Sequence, residues 1–281
     1  MKLSFTKMHG CGNNYIYFNC FDQTVPDPAS LSVRLSEPHF GIGGDGVILI
    51  NPSDKADAQM RIFNADGSEG KMCGNGIRCV GKYLYDNGMT DGRTTVTIDT
   101  LSGVKTLELT VEDGKMLSAR VDMDAAILKP ADIPVDLEGD TVIGAPLVID
   151  EKVYHITCVS MGNPHCVIFL DEDIDGLDLE RIGPKFEHHA LFPERVNTEF
   201  VNVLPDGTLK MRVWERGSGE TWACGTGACA VGVAAVLTGR AGKDEDITVH
   251  LRGGDLTVRY TDQTVFMTGA ATTVFKGEIE L

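Results

Sequence analysis

Two spacings of apolar residues recur along this chain. Leu107–Val111 and Leu209–Val213 place an apolar residue at every second position, as a strand with one buried face does. Val47–Ile50 and Val167–Leu170 are short unbroken apolar runs of strand length. Two longer stretches, Gly76–Asn87 and Gly227–Gly239, predict helices. Gly88 and Gly239 mark their ends, because glycine readily takes the left-handed conformation that stops a helix. The longest apolar candidates, Val47–Ile50 and Val231–Leu237, fall well short of the roughly 18 residues a membrane span needs. The opening residues turn polar and glycine-rich after position 8, so no signal-peptide core is read there, and a soluble, cytoplasmic protein is expected.

The same pattern occurs twice. Sliding the chain against itself by 151 residues puts Met60-Arg61-Ile62-Phe63 on Met211-Arg212-Val213-Trp214, Glu69 on Glu220 and Cys73-Gly74 on Cys224-Gly225. The register continues without a gap: Gly76 falls on Gly227, Val80-Gly81 on Val231-Gly232, Val96-Thr97-Ile98 on Ile247-Thr248-Val249 and Gly103 on Gly254. A shift of 150 puts Gly12-Asn13 on Gly162-Asn163. Two homologous halves are expected, the first ending near Ala125 and the second beginning at Ala126, with the proline-containing stretch Asp122–Gly144 as their connection. The fold class is α+β: two domains related by a pseudo-twofold, each a mixed, mostly antiparallel sheet or barrel around a central helix.

Charge and cysteine usage narrow the chemistry. The 281 residues carry 25 basic and 41 acidic side chains, a net charge of −16, which opposes binding to nucleic acid or an anionic membrane. Eight cysteines without a Cys-x-x-Cys pair, and with His188-His189 as the only close histidine pair, do not make a zinc site, and no metal is expected. Six of the eight, including Cys79 and Cys229 inside the predicted helices, read as buried structural thiols.

Cys73 and Cys224 differ from the rest. Each precedes a small, flexible run that opens a helix: Cys73-Gly74-Asn75-Gly76 and Cys224-Gly225-Thr226-Gly227. A helix start offers unpaired N–H groups and partial positive charge, which favour a thiolate and can receive a carboxylate. With two such starts facing each other, a carboxylate held between them would leave its α-carbon flanked by two sulfurs. One thiolate would remove the α-proton and the opposite thiol would reprotonate the other face. Such a device inverts a stereocentre without an electron-sink cofactor, provided the helix starts stabilise the enediolate-like transition state and water is excluded.

The residues around these cysteines resemble the diaminopimelate epimerase family. The resemblance is carried by Lys7-Met8-His9-Gly10 with Gly12-Asn13, by Phe63–Glu69 leading into Met72-Cys73-Gly74-Asn75-Gly76, and by Gly162-Asn163-Pro164-His165. Arg195 with Asn197, and Glu215-Arg216-Gly217 leading through Gly219-Glu220-Thr221 into Ala223-Cys224-Gly225-Thr226-Gly227, complete it in order along nearly the whole chain. It implies interconversion of LL- and meso-2,6-diaminopimelate on the route to lysine and peptidoglycan, without a cofactor. It also implies a homodimer, and a last strand from about Ala270 to residue 281 returning to the first domain, residues 1–125, while residues 126–269 form the second. By resemblance, Cys73 and Cys224 are the acid/base pair, tuned by His165 and Glu215. The backbone of Gly74, Asn75, Gly225 and Thr226 would hold the reacting carboxylate. Asn13, Asn64, Asn163, Asn197, Glu215 and Arg216 would fix the amines and the distal carboxylate. The forked guanidinium of Arg216 suits a carboxylate, and asparagine both donates and accepts, as a zwitterion requires. Two positions depart from the family pattern: Asn14, where many members carry Asp, and Gly46, where some carry a glutamine that reaches the substrate.

Three other readings share parts of this pattern. Gly41-Ile42-Gly43-Gly44-Asp45-Gly46 satisfies the dinucleotide-binding spacing, but it is followed by the strand-like Val47–Ile50 where that loop should open a helix. Proline, hydroxyproline and histidine racemases use the same paired-thiol logic. A redox sensor could use two low-pKa thiols to form a disulfide.

Overall fold

The structure, a computed structural model, describes residues 2–280. In chain order its elements are β1 (Lys2–Gly10), β2 (Asn13–Asn19), α1 (Pro28–Ser36), β3 (Gly46–Asn51), β4 (Ala58–Asn64), β5 (Glu69–Gly70), α2 (Gly74–Asp86), β6 (Thr95–Thr100), β7 (Gly103–Glu112) and β8 (Lys115–Asp122). There follow β9 (Ala145–Ile149), β10 (Lys152–Ser160), β11 (Pro164–Phe169), α3 (Leu179–Glu187), β12 (Asn197–Val203), β13 (Leu209–Glu215), β14 (Gly219–Thr221) and α4 (Gly225–Leu237). The chain closes with β15 (Ile247–Leu251), β16 (Gly254–Tyr260), β17 (Val265–Ala270) and β18 (Thr272–Glu280). Residues 2–122 with 268–280 form one compact unit, and Met123–Met267 form the other.

Within the first unit β1 pairs antiparallel with β2 and with β18, β2 runs parallel to β3 across the α1 crossover, and β3 and β4 are antiparallel. β4 also lies parallel to β6, and β6, β7 and β8 continue antiparallel. The second unit repeats this: β10–β11 antiparallel, β11–β12 parallel across α3, β12–β13 antiparallel, β13–β15 parallel and β15–β16 antiparallel. In each unit the strand pairing is mixed and mostly antiparallel, and each unit has one long helix, α2 or α4.

Local chemistry explains where these helices stop. Gly88 (φ 73°) follows α2, donating its N–H to Tyr85, while Met89 donates to Leu84. Gly239 (φ 70°) follows α4 with the same two bonds, to Val236 and from Arg240 to Ala235. Both are Schellman ends built on a left-handed glycine. The helices start two residues earlier than the sequence pattern predicts, at Gly74 and Gly225. Glycine is a poor helix former, and these starts are set by the cysteine caps just before them; inside the helices two further glycines are held by packing. A Cβ on Gly81 would come 2.9 Å from Leu107 Cδ2 of β7, and one on Gly232 would come 2.6 Å from Val258 Cγ1 of β16. Glycine at these matched positions lets each helix lie close on its sheet.

The stretch Asp122–Gly144 is more than a connection. Ile133, Val135 and Val142 are buried in the core of the second unit with Ile156, Ile168, Phe186 and Phe200. The first unit has its own core, which includes Ile16, Phe18, Leu35, Val47 and Phe63. Among the described residues no helix is long and apolar enough to cross a membrane. The glycine run at Gly41–Gly46 closes the end of α1, with N–H groups of Gly41 to Gly44 bonded to carbonyls of Leu35, Ser36 and Glu37, and then enters β3.

Candidate active site

Cys73 and Cys224 are the N-cap residues of α2 and α4. Both have extended backbones, and each sulfur accepts the N–H of the third following residue, Gly76 or Gly227, at 3.3 Å. A thiol thus takes the place usually held by a Ser or Asp oxygen, directed at the positive end of the helix. The strand pairs leading to these caps are built alike. Arg61 grips Glu69 through two bonds of 2.7 and 3.1 Å, and Arg212 grips Glu220 through two of 2.8 and 2.9 Å. These pairs brace the β4–β5 and β13–β14 turns, which carry Asn64 and Glu215 at the ends of their first strands.

In the first unit Asn13 Oδ1 lies 3.3 Å from Cys73 Sγ, while Asn13 Nδ2 donates to Asp45 Oδ2 at 2.8 Å. Asp45 also receives the Asn14 N–H at 2.7 Å. Tyr15 is buried against Asn13 and Cys73. Loss of water pushes its phenol well above the ordinary value, and the charges of Cys73 and Asp45 push the same way. Burial lowers the Lys7 ammonium, with Asp45 opposing that shift, and Lys7 donates to the Gly43 carbonyl. The Asn64 amide is turned to Ser68 Oγ at 3.0 Å, and the buried Asn75 side chain accepts from Arg78 at 2.7 Å. A Cβ on Gly46 would come 2.1 Å from the Phe63 carbonyl oxygen, so this backbone leaves no room for a side chain there.

In the second unit His165 of β11 is fully buried. Its Nδ1 lies 2.6 Å from Glu199 Oε1 of β12, and its Nε2 lies 3.1 Å from Asn163 Oδ1. Donor atoms of His165, Glu199 and Cys224 all lie within 4.8 Å of one another, the one such cluster of three His, Cys or acidic side chains among the described residues. Its His165 nitrogen and Glu199 oxygen are already hydrogen-bonded to each other. Cys224 Sγ also lies 3.4 Å from Thr226 Oγ1. Glu215 accepts from Thr221 and bonds Cys224, and burial raises its carboxyl above the ordinary range. The turn beyond it is held by Asn197 Oδ1, which accepts the Arg216 N–H at 2.8 Å, and by the buried Glu187, which accepts from Gly217 N–H at 2.9 Å, Trp214 Nε1 at 2.7 Å and Arg195 at 3.2 Å. The Arg216 guanidinium rests on the Glu194 carbonyl at 3.0 Å.

The sequence-derived residues divide between the two units: Asn13, Asn64, Gly74 and Asn75 share the first with Cys73, and Asn163, His165, Asn197, Glu215, Arg216, Gly225 and Thr226 share the second with Cys224. Of their side chains, Asn13 contacts Cys73, and His165, Glu215 and Thr226 lie by Cys224. One expectation needs correction. The helix start alone favours a thiolate, yet the Cys224 thiol is pushed well above its ordinary value by burial first, then by the charges of Glu215 and Glu199. Thr226 and the Gly227 N–H only partly oppose this. Tyr15, Asp45 and Glu199 were not singled out from sequence. The 151-residue shift contains a signal for Glu199, since it places this acid on the apolar Ile48.

Comparison with known proteins gives the family of the chain. The profile of the family described as "Diaminopimelate epimerase" matches residues 5–129 and 157–274. A protein of that name from Agathobacter rectalis is 54% identical over 288 residues, covering 99% of this chain and all of its own. Another from Methanococcus maripaludis is 53% identical over 281 residues, covering 99% of this chain and 100% of its own. Among solved structures, a hydroxyproline epimerase from Agrobacterium vitis superposes with a TM-score of 0.73 at 17% identity, covering 100% of this chain and 93% of its own, which is likeness of fold. With half its residues shared along its full length, this chain is an isomerase belonging to the diaminopimelate epimerase family.

Proposed function

We propose that the protein interconverts LL- and meso-2,6-diaminopimelate, in the cytoplasmic route to lysine and peptidoglycan, by two-base proton transfer between Cys73, Cys224 and the substrate α-carbon. The observation that carries this is the matched pair of cysteine N-caps, each receiving a glycine N–H at 3.3 Å. In the forward step the C–H bond breaks, its proton forms an S–H bond with the thiolate, and the electron pair moves into the α-carboxylate. The opposite thiol then gives its proton to the other face of that carbon, leaving as thiolate. One thiol and one thiolate exchange roles, and no electron-sink cofactor takes part. First-turn N–H groups of α2 and α4, at Gly74, Asn75, Gly225 and Thr226, meet the developing carboxylate charge. Asn13, Asn64, Asn163, Asn197 and Glu215 take the ammonium groups, and Arg216 takes the distal carboxylate. His165 and Glu215 tune Cys224. A homodimer is part of the proposal, and sedimentation checks it.

The test is epimerisation in deuterium oxide under reducing conditions, with diaminopimelate, proline and histidine as substrates. Deuterium should enter one α-carbon of diaminopimelate and neither of the others. No exchange with diaminopimelate defeats the proposal, and exchange with proline or histidine reassigns the substrate. Cys73→Ser and Cys224→Ser should each lower turnover about 100-fold or more, since general acid and base must both be present.

A further inference from the structure

Glu199 breaks the likeness between the two cysteine sites. In the first unit a Cβ on Gly76 would come 2.7 Å from Ile48 Cδ1 and 3.5 Å from Cys73 Sγ. In the second, a Cβ on Gly227 would come 2.7 Å from Glu199 Oε1 and 3.3 Å from Cys224 Sγ. Ile48 and Glu199 lie 151 residues apart in the repeat and occupy the same register: Ile48 pairs with Tyr17 across the β2–β3 ladder, and Glu199 with Val167 across β11–β12. At one matched place beside the cysteine cap the first unit has a hydrocarbon and the second a fully buried carboxylate. A second exchange adds to it, for Asn64 at the end of β4 matches Glu215 at the end of β13.

A buried carboxylate is costly unless its oxygens are hydrogen-bonded. Glu199 Oε1 is satisfied by His165 Nδ1 at 2.6 Å, but Oε2 is buried without a hydrogen-bond partner among the described residues. Such a group in the middle of a strand whose neighbours Phe200 and Val201 are core residues calls for a reason beyond stability.

We infer that Glu199 is a positioning residue for the proposed reaction: it fixes the His165 ring through Nδ1 and, together with Glu215, keeps Cys224 protonated in the unliganded protein, so that Cys224 begins the cycle as the proton donor. The inference rests on the two-thiol chemistry proposed above. The groups that face Cys224 are Glu199 of β12, Glu215 of β13, His165 of β11, and the Thr226 hydroxyl and Gly227 N–H of α4. Glu199 also faces the buried Cys166 of β11, itself beside Cys158 of β10. The carboxylates disfavour a thiolate at Cys224, and the hydroxyl and N–H favour one. Taking away the Glu199 charge therefore moves Cys224 toward thiolate.

The test is Glu199→Gln, which keeps size and an acceptor oxygen but not the charge. Iodoacetamide labelling of Cys224 against pH, read by peptide mass spectrometry, should show a midpoint about one unit lower than in the unsubstituted protein, the scale of one nearby like charge. Turnover should fall about 10-fold or more with KM changed less than about twofold. An unmoved labelling curve overturns the inference, even if the variant is less stable. Should the glutamine variant not fold, imidazole ¹⁵N spectra of the unsubstituted protein decide: a hydrogen held on His165 Nδ1, whatever Nε2 carries, supports the inference, and a ring that averages between tautomers overturns it. Labelling requires no turnover, so the inference can fail while the two-thiol chemistry stands, and Cys73→Ser and Cys224→Ser test that chemistry independently.

Discussion

Thr221 donates its hydroxyl hydrogen to Glu215 across the turn joining β13 to β14, and this bond is part of what keeps the Glu215 carboxyl beside Cys224. The carboxyl is raised above its ordinary 4.5 because loss of water outweighs the bonds from Thr221 and Cys224. A raised acid binds its proton more tightly folded than unfolded. Its contribution to stability is complete below the unfolded value and is lost as pH rises through the folded one. Glu215→Gln, which still accepts from Thr221, should therefore have a higher melting temperature than the unsubstituted protein at pH 7, with the gap closing toward pH 4. Its turnover should fall about 100-fold. A gap that widens on acidification would contradict the sign.

Arg216 is placed from two sides, its N–H on Asn197 and its guanidinium on the Glu194 carbonyl. Arg216→Ala should raise KM for diaminopimelate about 10-fold or more, the scale of a lost charge-assisted bond, with a much smaller change in the Cys224 labelling curve. An α-amino acid lacking the distal carboxylate should be bound equally by both proteins. Equal loss with that truncated substrate would remove Arg216 from the distal site.

The two arginine–glutamate pairs match in sequence but not in environment. Arg61 and Glu69 have side chains 40% and 31% exposed, whereas Arg212 and Glu220 are each 12% exposed. Arg212 also donates to the carbonyls of Ile174 and Leu177 at 2.6 and 2.9 Å. Arg61→Ala should cost under about 1 kcal/mol, as exposed pairs do. Arg212→Ala should cost about 1–3 kcal/mol, because it leaves those carbonyls without their donor, while Glu220 keeps only its pair with Arg252 at 3.1 Å. Urea unfolding of both variants measures the difference, and equal losses would refute it.

Much of the candidate site was legible because its signals are local. Cys73 and Cys224 sit directly before small residues that open helices, and Gly88 and Gly239 close them through bonds between residues a few positions apart. The repeat register also survives folding: Gly81 and Gly232 both lie against a neighbouring strand, and Arg61 and Arg212 make the same two-pronged grip. The first two residues of each helix were missed, since glycine there opposes helix formation while the starts are set by the caps at Cys73 and Cys224. The stretch 122–144 looked like a linker because its prolines and acids dominate the local pattern, while Ile133, Val135 and Val142 are too widely spaced to read as a core element.

By itself the sequence determined the two cysteine caps, the duplicated order of strands and helices, and the residue types available to a zwitterionic substrate, since all of these depend on neighbours along the chain. Only tertiary structure decided the environment that raises the Cys224 thiol and the placing of Glu199 beside it. A helix start attracts negative charge, but Glu215 and Glu199 reach Cys224 from separate strands and burial removes the water that would screen them. Those distances through a dry interior, not the spacing along the chain, set which form of the thiol prevails.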